Sequence, residues 1–307
     1  MTRCNARSLV FAMIVGLVQS VGCDKRPGSA GTSAADSKAT GPGNAASGDA
    51  KSSGSPVPGG ALTAHDVLEK MAAAYRSATT YEDRATAELS EAGSSEPRRA
   101  DFMVAFERPN KLRLKFYQGE VVCDGKKWFG FSEDIPGQAV LRDAPEKLKL
   151  HMLQADSVLN QVLNNGFAGA SPQLLLLLEE KPLTILLDGV RDKDLTLDEP
   201  GRIGDYDCYR VRFSRNEGVG EYWIDQKTFV LRQMRFRQAT LPPGPEGDSA
   251  TEGVSMVANF ERARLGGAID PGAFKFVVPE GAQCHRALMD PGPYDLIGKK
   301  VPDFQLA

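Results

Sequence analysis

The sequence predicts a mainly antiparallel β chain with helices, an α+β fold. A long strand meander curls into an open, incomplete barrel with a helical plug on its concave side. Three observations predict it. From Tyr81 to Arg142, and again from Leu195 to Phe236, apolar and polar residues alternate with period two between closely spaced turn residues, as half-buried strands do. A helical interval separates the two runs. Within it Leu174-Leu175-Leu176-Leu177-Leu178 is apolar on every side of a helix, so it must be buried or cover a cavity. A sheet of so many strands does not stay flat. A barrel filled by its own side chains would have no room for that helix, so the open form is expected.

The first 23 residues read as a targeting segment. Arg3 and Arg7 precede an apolar run from Leu9 to Val18, too short for a membrane span and the right length for a signal core. Val21-Gly22-Cys23 follows and resembles the bacterial lipoprotein signal, in which the cysteine is acylated. Ser20 departs from that pattern, which has an aliphatic residue there. Asp24 resembles an inner-membrane retention signal. Asp24 to Gly60, built from Gly, Ser, Ala, Pro, Thr and Asp, reads as a disordered linker. It would span about 30–35 Å as a coil. The expected organisation is a signal at 1–23, a linker at 24–60, an open-barrel domain at 61–282 and a tail at 283–307.

The domain opens with a helix. Thr63 is its N-cap with Asp66 in capping-box position, and Val67, Met71, Ala74, Tyr75 and Ala78 form its apolar stripe. Strands follow. Phe102, Val104 and Phe106 alternate up to the Pro109-Asn110 turn; Leu112, Leu114 and Phe116 then face one side while Lys111, Arg113 and Lys115 make the other wet and basic. Gln118-Gly119 and Asp124-Gly125 mark the next hairpins, the second expected as type I′. Glu146 to Asn165 reads as helical. Tyr209, Val211 and Phe213 oppose Arg210, Arg212 and Ser214; Tyr222 and Ile224 precede an Asp225-Gln226-Lys227 turn, with a strand from Thr228 to Phe236. Leu241 to Gly253 reads as a long loop, Val254, Met256, Ala258 and Phe260 alternate again, and Phe274 to Pro279 is expected as the last strand.

Phe102 through Arg108-Pro109-Asn110, then Asp124-Gly125-Lys126, and the stretch from Ala268 to Gly281 together resemble the LolA/LolB-like periplasmic lipoprotein carriers and their uncharacterised exported relatives. The resemblance covers residues 61 to 282. It implies an open barrel with a lid and an apolar cavity for acyl chains. Arg108 matches the family arginine that holds the lid closed, a role suited to a forked, permanently charged donor. Cys123 stands where that family often has serine. The cavity wall is then expected from Leu112, Leu114, Phe116, Leu174, Leu175, Leu178, Val211, Phe213, Ile224, Val254 and Met256, residues that could equally pack as core. Asp295 to Leu306 resembles the opening of a thioredoxin-like redoxin domain. The reactive cysteine of that family comes well downstream of such an opening, so no redox activity is expected here.

Composition and motifs argue against other classes. Lys and Arg number 37 against 40 Asp and Glu, without the clustered basic excess of a nucleic-acid binder. His65, His151 and His285 have no metal-ligand spacing, and no phosphate-binding glycine loop is present. Glu179 and Glu180 do not converge, Ser157 and Ser171 lack an elbow context, and Cys284-His285 are neighbours that seldom point together. Cys123, Cys208 and Cys284 leave either one disulfide or three free thiols. The expectation is an exported, lipid-anchored, non-catalytic protein without a cofactor, whose partners are a membrane and the acyl chains of a lipid or lipoprotein. The alternative is a sensor or adaptor that binds an exported protein, or an accessory to a thioredoxin-like redox protein.

Overall fold

The computed structural model describes residues 62–91, 94–116, 118–153, 155, 171–215, 218–241, 251–260 and 262–288. The signal, the linker, most of the expected 146–165 helix and the redoxin-like stretch lie outside the described residues. Helix α1, Ala64–Ser77, begins at the expected capping box, with Asp66 N–H donating to Thr63 Oγ1 (3.1 Å) and Thr63 N–H to Asp66 Oδ2 (2.9 Å). Val67, Leu68, Met71, Ala72 and Tyr75 bury one face of it.

Six strands follow: β1 (Thr80–Glu91), β2 (Arg98–Glu107), β3 (Lys111–Phe116), β4 (Gly119–Asp124), β5 (Lys127–Ser132) and β6 (Gln138–Asp143). Then come α2 (Leu150–Leu153), α3 (Pro172–Leu178) and α4 (Pro182–Leu186). The second meander is β7 (Leu195–Ile203), β8 (Tyr206–Arg215), β9 (Gly218–Asp225), β10 (Leu231–Leu241) and β11 (Thr251–Phe260), with short β12 (Arg264–Leu265) and β13 (Gln283–His285). All thirteen join one sheet in the order β13-β6-β5-β4-β3-β2-β1-β11-β10-β9-β8-β7, with β12 beside β1. The two meanders meet where β1 pairs β11, Ala87 opposite Ala258. Among the described strands only β13 runs parallel to its neighbour, β6, so the sheet takes in three residues beyond Ala282. The end strands β7 and β13 do not pair, and the sheet is an unclosed, mainly antiparallel barrel as expected.

One cluster of buried side chains draws on α1, α2, α3, α4 and the inward row of both meanders. Every residue of α3, from Pro172 to Leu178, is buried. At the sheet's end, the pairing of β7 with β8 slips between Asp198 and Gly201, and the Trp223 ring lies where a Cβ on Gly201 would stand, 2.5 Å from it.

Four expectations need correction. Phe274 to Pro279 is not a strand: Pro271–Phe274 is a 3-10 turn and the residues after it pair with no strand. This segment crosses the outer face of β2–β5, where Phe274 and Ile269 pack on Ala105 and Phe276 stacks on Phe129 at 4.9 Å. That face is therefore partly covered. Arg113, expected in solvent, donates from Nη1 to the carbonyls of Ala273 (3.1 Å) and Lys275 (3.3 Å), because a crossing strand-less segment needs partners for its own carbonyls. The 124–127 hairpin has positive φ only at Gly125 (94°), with Lys126 second in the loop. That is the II′ arrangement rather than I′, and Asp124 Oδ1 accepts the N–H groups of Lys126 and Lys127, both at 2.7 Å. Lastly, β10 starts at Leu231 rather than Thr228, since residues 226–230 form the turn after β9.

Candidate functional site

The Arg108-Pro109-Asn110 turn, whose first peptide is cis, ties the helices to the sheet. Arg108 follows directly on β2 and its N–H donates to Thr79 O at 2.8 Å. Its guanidinium then donates to three carbonyls: Nε to Ala78 (2.9 Å), Nη2 to Tyr75 (3.3 Å) and Nη2 to Leu177 (3.1 Å). Tyr75 and Ala78 belong to the last turn and cap of α1, Leu177 to the last turn of α3. Carbonyls at helix C-termini lack intrahelical donors and carry the negative end of the helix dipole, so one fixed cation between two such ends satisfies both. Partial burial draws the pKa of the guanidinium down. It also lies over the Phe106 ring, 5.2 Å from its centroid. Asn110 does the parallel work on the other side, donating to Gly125 O (3.1 Å) and Pro145 O (2.7 Å), which joins the β4–β5 hairpin to the segment leading into α2.

The eleven residues expected on a cavity wall fall into three groups. Leu112, Leu114, Phe116, Leu174, Leu175, Leu178, Val211, Phe213 and Ile224 all sit in the main buried cluster, with sheet residues packed on helix residues. Val254 is buried on β11 outside that cluster, and Met256 is half-buried. Gln173 is wholly buried beside the leucines, and its Nε2 has no hydrogen-bond partner.

A second polar group sits below α1. Asp83 is 1 % exposed on the inward row of β1. Tyr81 Oη donates to its Oδ2 at 3.2 Å, while among the described residues Oδ1 has no hydrogen-bond partner. Burial pushes the Asp83 pKa up to about 7, against the opposing pull of the Tyr81 hydroxyl and the N–H groups of Arg262 and Arg84. The Tyr75 and Tyr81 rings lie 5.5 Å apart, and Tyr75 Oη accepts the Leu231 N–H at 3.2 Å. Beyond them Arg232 and Asp225, both buried, pair at 3.1 Å. Burial raises the pKa of Asp225, but the N–H groups of Thr228 and Lys227 and the Arg232 guanidinium outweigh it and hold the carboxyl low. None of Asp83, Asp225 or Arg232 stands out by motif. The inward series Tyr81, Asp83, Ala85, Ala87, Leu89 was the available signal, a charge in an otherwise apolar register.

Among the described residues Cys123 and Cys208 are buried, Cys284 is exposed, and all three are free thiols. Burial raises the Cys208 pKa to about 11, which makes it unreactive. No group of three or more His, Cys, Asp or Glu among the described residues could hold a metal ion. No described helix is long and apolar enough to cross a membrane.

No family model matches the chain, and no curated protein matches it. Among solved structures it is similar to a LolA superfamily protein from Nitrosomonas europaea, at 12% identity over 70% of this chain and 99% of that one, with a TM-score of 0.26. It is similar to the Mycobacterium tuberculosis lipoprotein LppX at 9% identity over 67% of this chain and 98% of that one, TM-score 0.33. A third likeness is to the Pseudomonas aeruginosa MucA/MucB complex, at 14% identity over 70% of this chain and 61% of the matched one, TM-score 0.35. Superpositions this loose carry no argument about ligand or partner. The open antiparallel barrel rests on the strand order of this chain itself.

Proposed function

We propose that the chain is an exported, non-catalytic binder of apolar ligands, tethered to a membrane through an acylated Cys23, and that α3 is the element a ligand displaces. The observation that carries this reading is the Arg108 guanidinium held between the C-termini of α1 and α3. It makes α3 a plug fastened at its C-terminal end by one hydrogen bond, from Arg108 to Leu177 O, while its leucines contribute only non-directional packing.

Magnitudes allow the exchange. Burying a leucine is worth about 1.5–3 kcal/mol, so the five leucines of α3 supply roughly 7–15 kcal/mol to the closed form. An acyl chain of about 16 carbons entering from water brings about 12 kcal/mol at about 0.8 kcal/mol per methylene. The two are comparable, so a chain could replace the leucines against Leu112, Leu114, Val211 and Ile224 without a large net cost. The lost contacts at Arg108 then set the preference for the closed form.

A second reading has its own support. Val277 is 84% exposed next to the Phe129–Phe276 stack on the outer face. That patch would suit an adaptor that binds an exported protein. One experiment separates the two. The chain is made in a bacterial periplasm, purified without detergent, and examined by native mass spectrometry with solvent extraction. Co-purifying lipid that is lost on Leu114→Glu, and whose exchange is faster on Arg108→Leu, supports the binder. A clean mass with no uptake of added phospholipid rules it out and leaves the adaptor reading.

A further inference from the structure

We infer that Asp83 is a proton-operated control on the α1–α3 contact: its ionisation loosens the C-terminal end of α1 and so releases α3 from Arg108. The inference rests on the reading of α3 as a displaceable plug. It does not require that the displacing ligand be a lipid.

The path is short and made of named contacts. Asp83 accepts from the Tyr81 hydroxyl, and Tyr81 packs on Tyr75. Tyr75 is fastened at both ends. Its hydroxyl holds the Leu231 N–H of the second meander, and its backbone carbonyl accepts from Arg108. Arg108 also donates to Leu177 of α3 from the same Nη2 that reaches Tyr75. A shift of α1 that carries the Tyr75 and Ala78 carbonyls away breaks the geometry in which one planar fork spans both helices. The buried carboxyl sits where such a shift would begin.

The closed arrangement favours a neutral Asp83. Among the described residues its Oδ1 lacks a partner, and it stands opposite Val104 in the β1–β2 ladder and is almost wholly buried, so a full charge there is costly. Each packed element contributes known polar groups. Helix α1 presents the Tyr75 hydroxyl, and β1 the Tyr81 hydroxyl and the Arg84 N–H. The chain after β11 presents the Arg262 N–H, and β10 presents Arg232. Arg232 is already engaged with Asp225 of β9 and with Ala263 O at 2.7 Å. Burial holds both tyrosines above their usual range, so they stay neutral at physiological pH. His65 on α1 points into solvent. Asp83 is thus the group in this cluster whose charge changes between pH 5 and 8.

The sign follows from linkage. A carboxyl raised in the closed state and ordinary in the open state binds more protons when closed, so closure is strongest in acid. It weakens as pH rises from the ordinary carboxylate range towards about 7, and then levels off. The opening constant therefore rises with pH across the range from pH 5 to pH 7.5, by about tenfold or more.

Hydrogen exchange on the full chain without added ligand tests this, with rates corrected for intrinsic pH dependence. The amides of 75–78 and 174–178 should lose protection by about tenfold or more between pH 5 and 7.5. Asp83→Asn should flatten the profile to within about threefold, and Arg108→Leu should remove α3 protection at every pH. Tyr81→Phe covers the case in which Asp83→Asn does not fold. It removes a donor that favours the ionised form, so the levelling-off should move above pH 7.5. A flat wild-type profile, an Asp83→Asn profile as steep as the wild type, or no movement on Tyr81→Phe overturns the inference. A steep profile in a chain that takes up no lipid would leave this control standing and remove only the lipid reading.

Discussion

Arg232→Met should cost the fold about 3–5 kcal/mol, the usual consequence of stranding one member of a buried ion pair. The side chains of Arg232 and Asp225 are each 6% exposed. The guanidinium donates from Nε (3.3 Å) and Nη2 (3.1 Å) to Asp225 Oδ2 and from Nη1 to Ala263 O (2.7 Å). It also lies 3.5 Å from the Tyr206 ring centroid. Methionine fills much of the volume and donates nothing. Asp225 would keep only the N–H groups of Lys227 and Thr228, and Ala263 O would be orphaned, itself worth about 1–3 kcal/mol. For a urea dependence of roughly 2–3 kcal/mol per molar, the midpoint should fall by about 1–2.5 M. Adding Asp225→Asn should recover more than half of the loss, since no charge is then left behind. A midpoint within about 0.3 M of wild type, or a double variant no better than the single one, would refute the reasoning.

Other outcomes follow from single contacts. A Cβ on Gly220 would stand 2.1 Å from Phe213 Cζ, in a ring that is itself stacked on Tyr222 at 4.9 Å. Gly220→Ala should therefore destabilise by about 1–3 kcal/mol in denaturant titration, and no loss would mean the ring is free to swing. Thr63→Ala removes the capping-box acceptor and should cost about 1 kcal/mol, read as faster amide exchange in the first turn of α1. The depressed Asp225 carboxyl stabilises above its unfolded value of 3.8, and that stability is lost as pH falls through its lower folded value. Unfolding followed from pH 4 down to pH 2 should show this acid limb, and Asp225→Asn should remove it.

Much of the fold was legible because period-two alternation reports directly which face of a strand is wet. The inward series of β2, β3 and β8 came out of the sequence with correct sides, and so did the helix that no strand pattern could absorb. The stretch from Phe274 to Pro279 misled because its aromatic and β-branched residues are those of a strand. They serve instead to pack an unpaired segment on the outer face, and propensity does not distinguish the two. Arg113 was misplaced for the same reason, since what covers it comes from about 160 residues away. Which carbonyls meet Arg108 could not be read. Main-chain oxygens leave no mark on a sequence, and only the charge and fork of the donor hinted that several acceptors were near. Asp83 broke its row visibly, but an acid in an apolar register is informative only once the helix above it is placed.

The slipped end of β7 has a consequence for behaviour in concentrated solution. A sheet that does not close offers a row of unpaired amides to any passing sheet, including another copy of itself. Here that row is spoiled. Pro200 withholds a donor, the irregularity between Asp198 and Gly201 throws the ladder out of step, and Asp198 is pinned by Arg210 (3.0 Å) and Arg212 (3.2 Å). These are the devices by which natural sheets refuse an uninvited neighbour. The β7 edge of the open barrel is therefore a poor template for another copy's sheet.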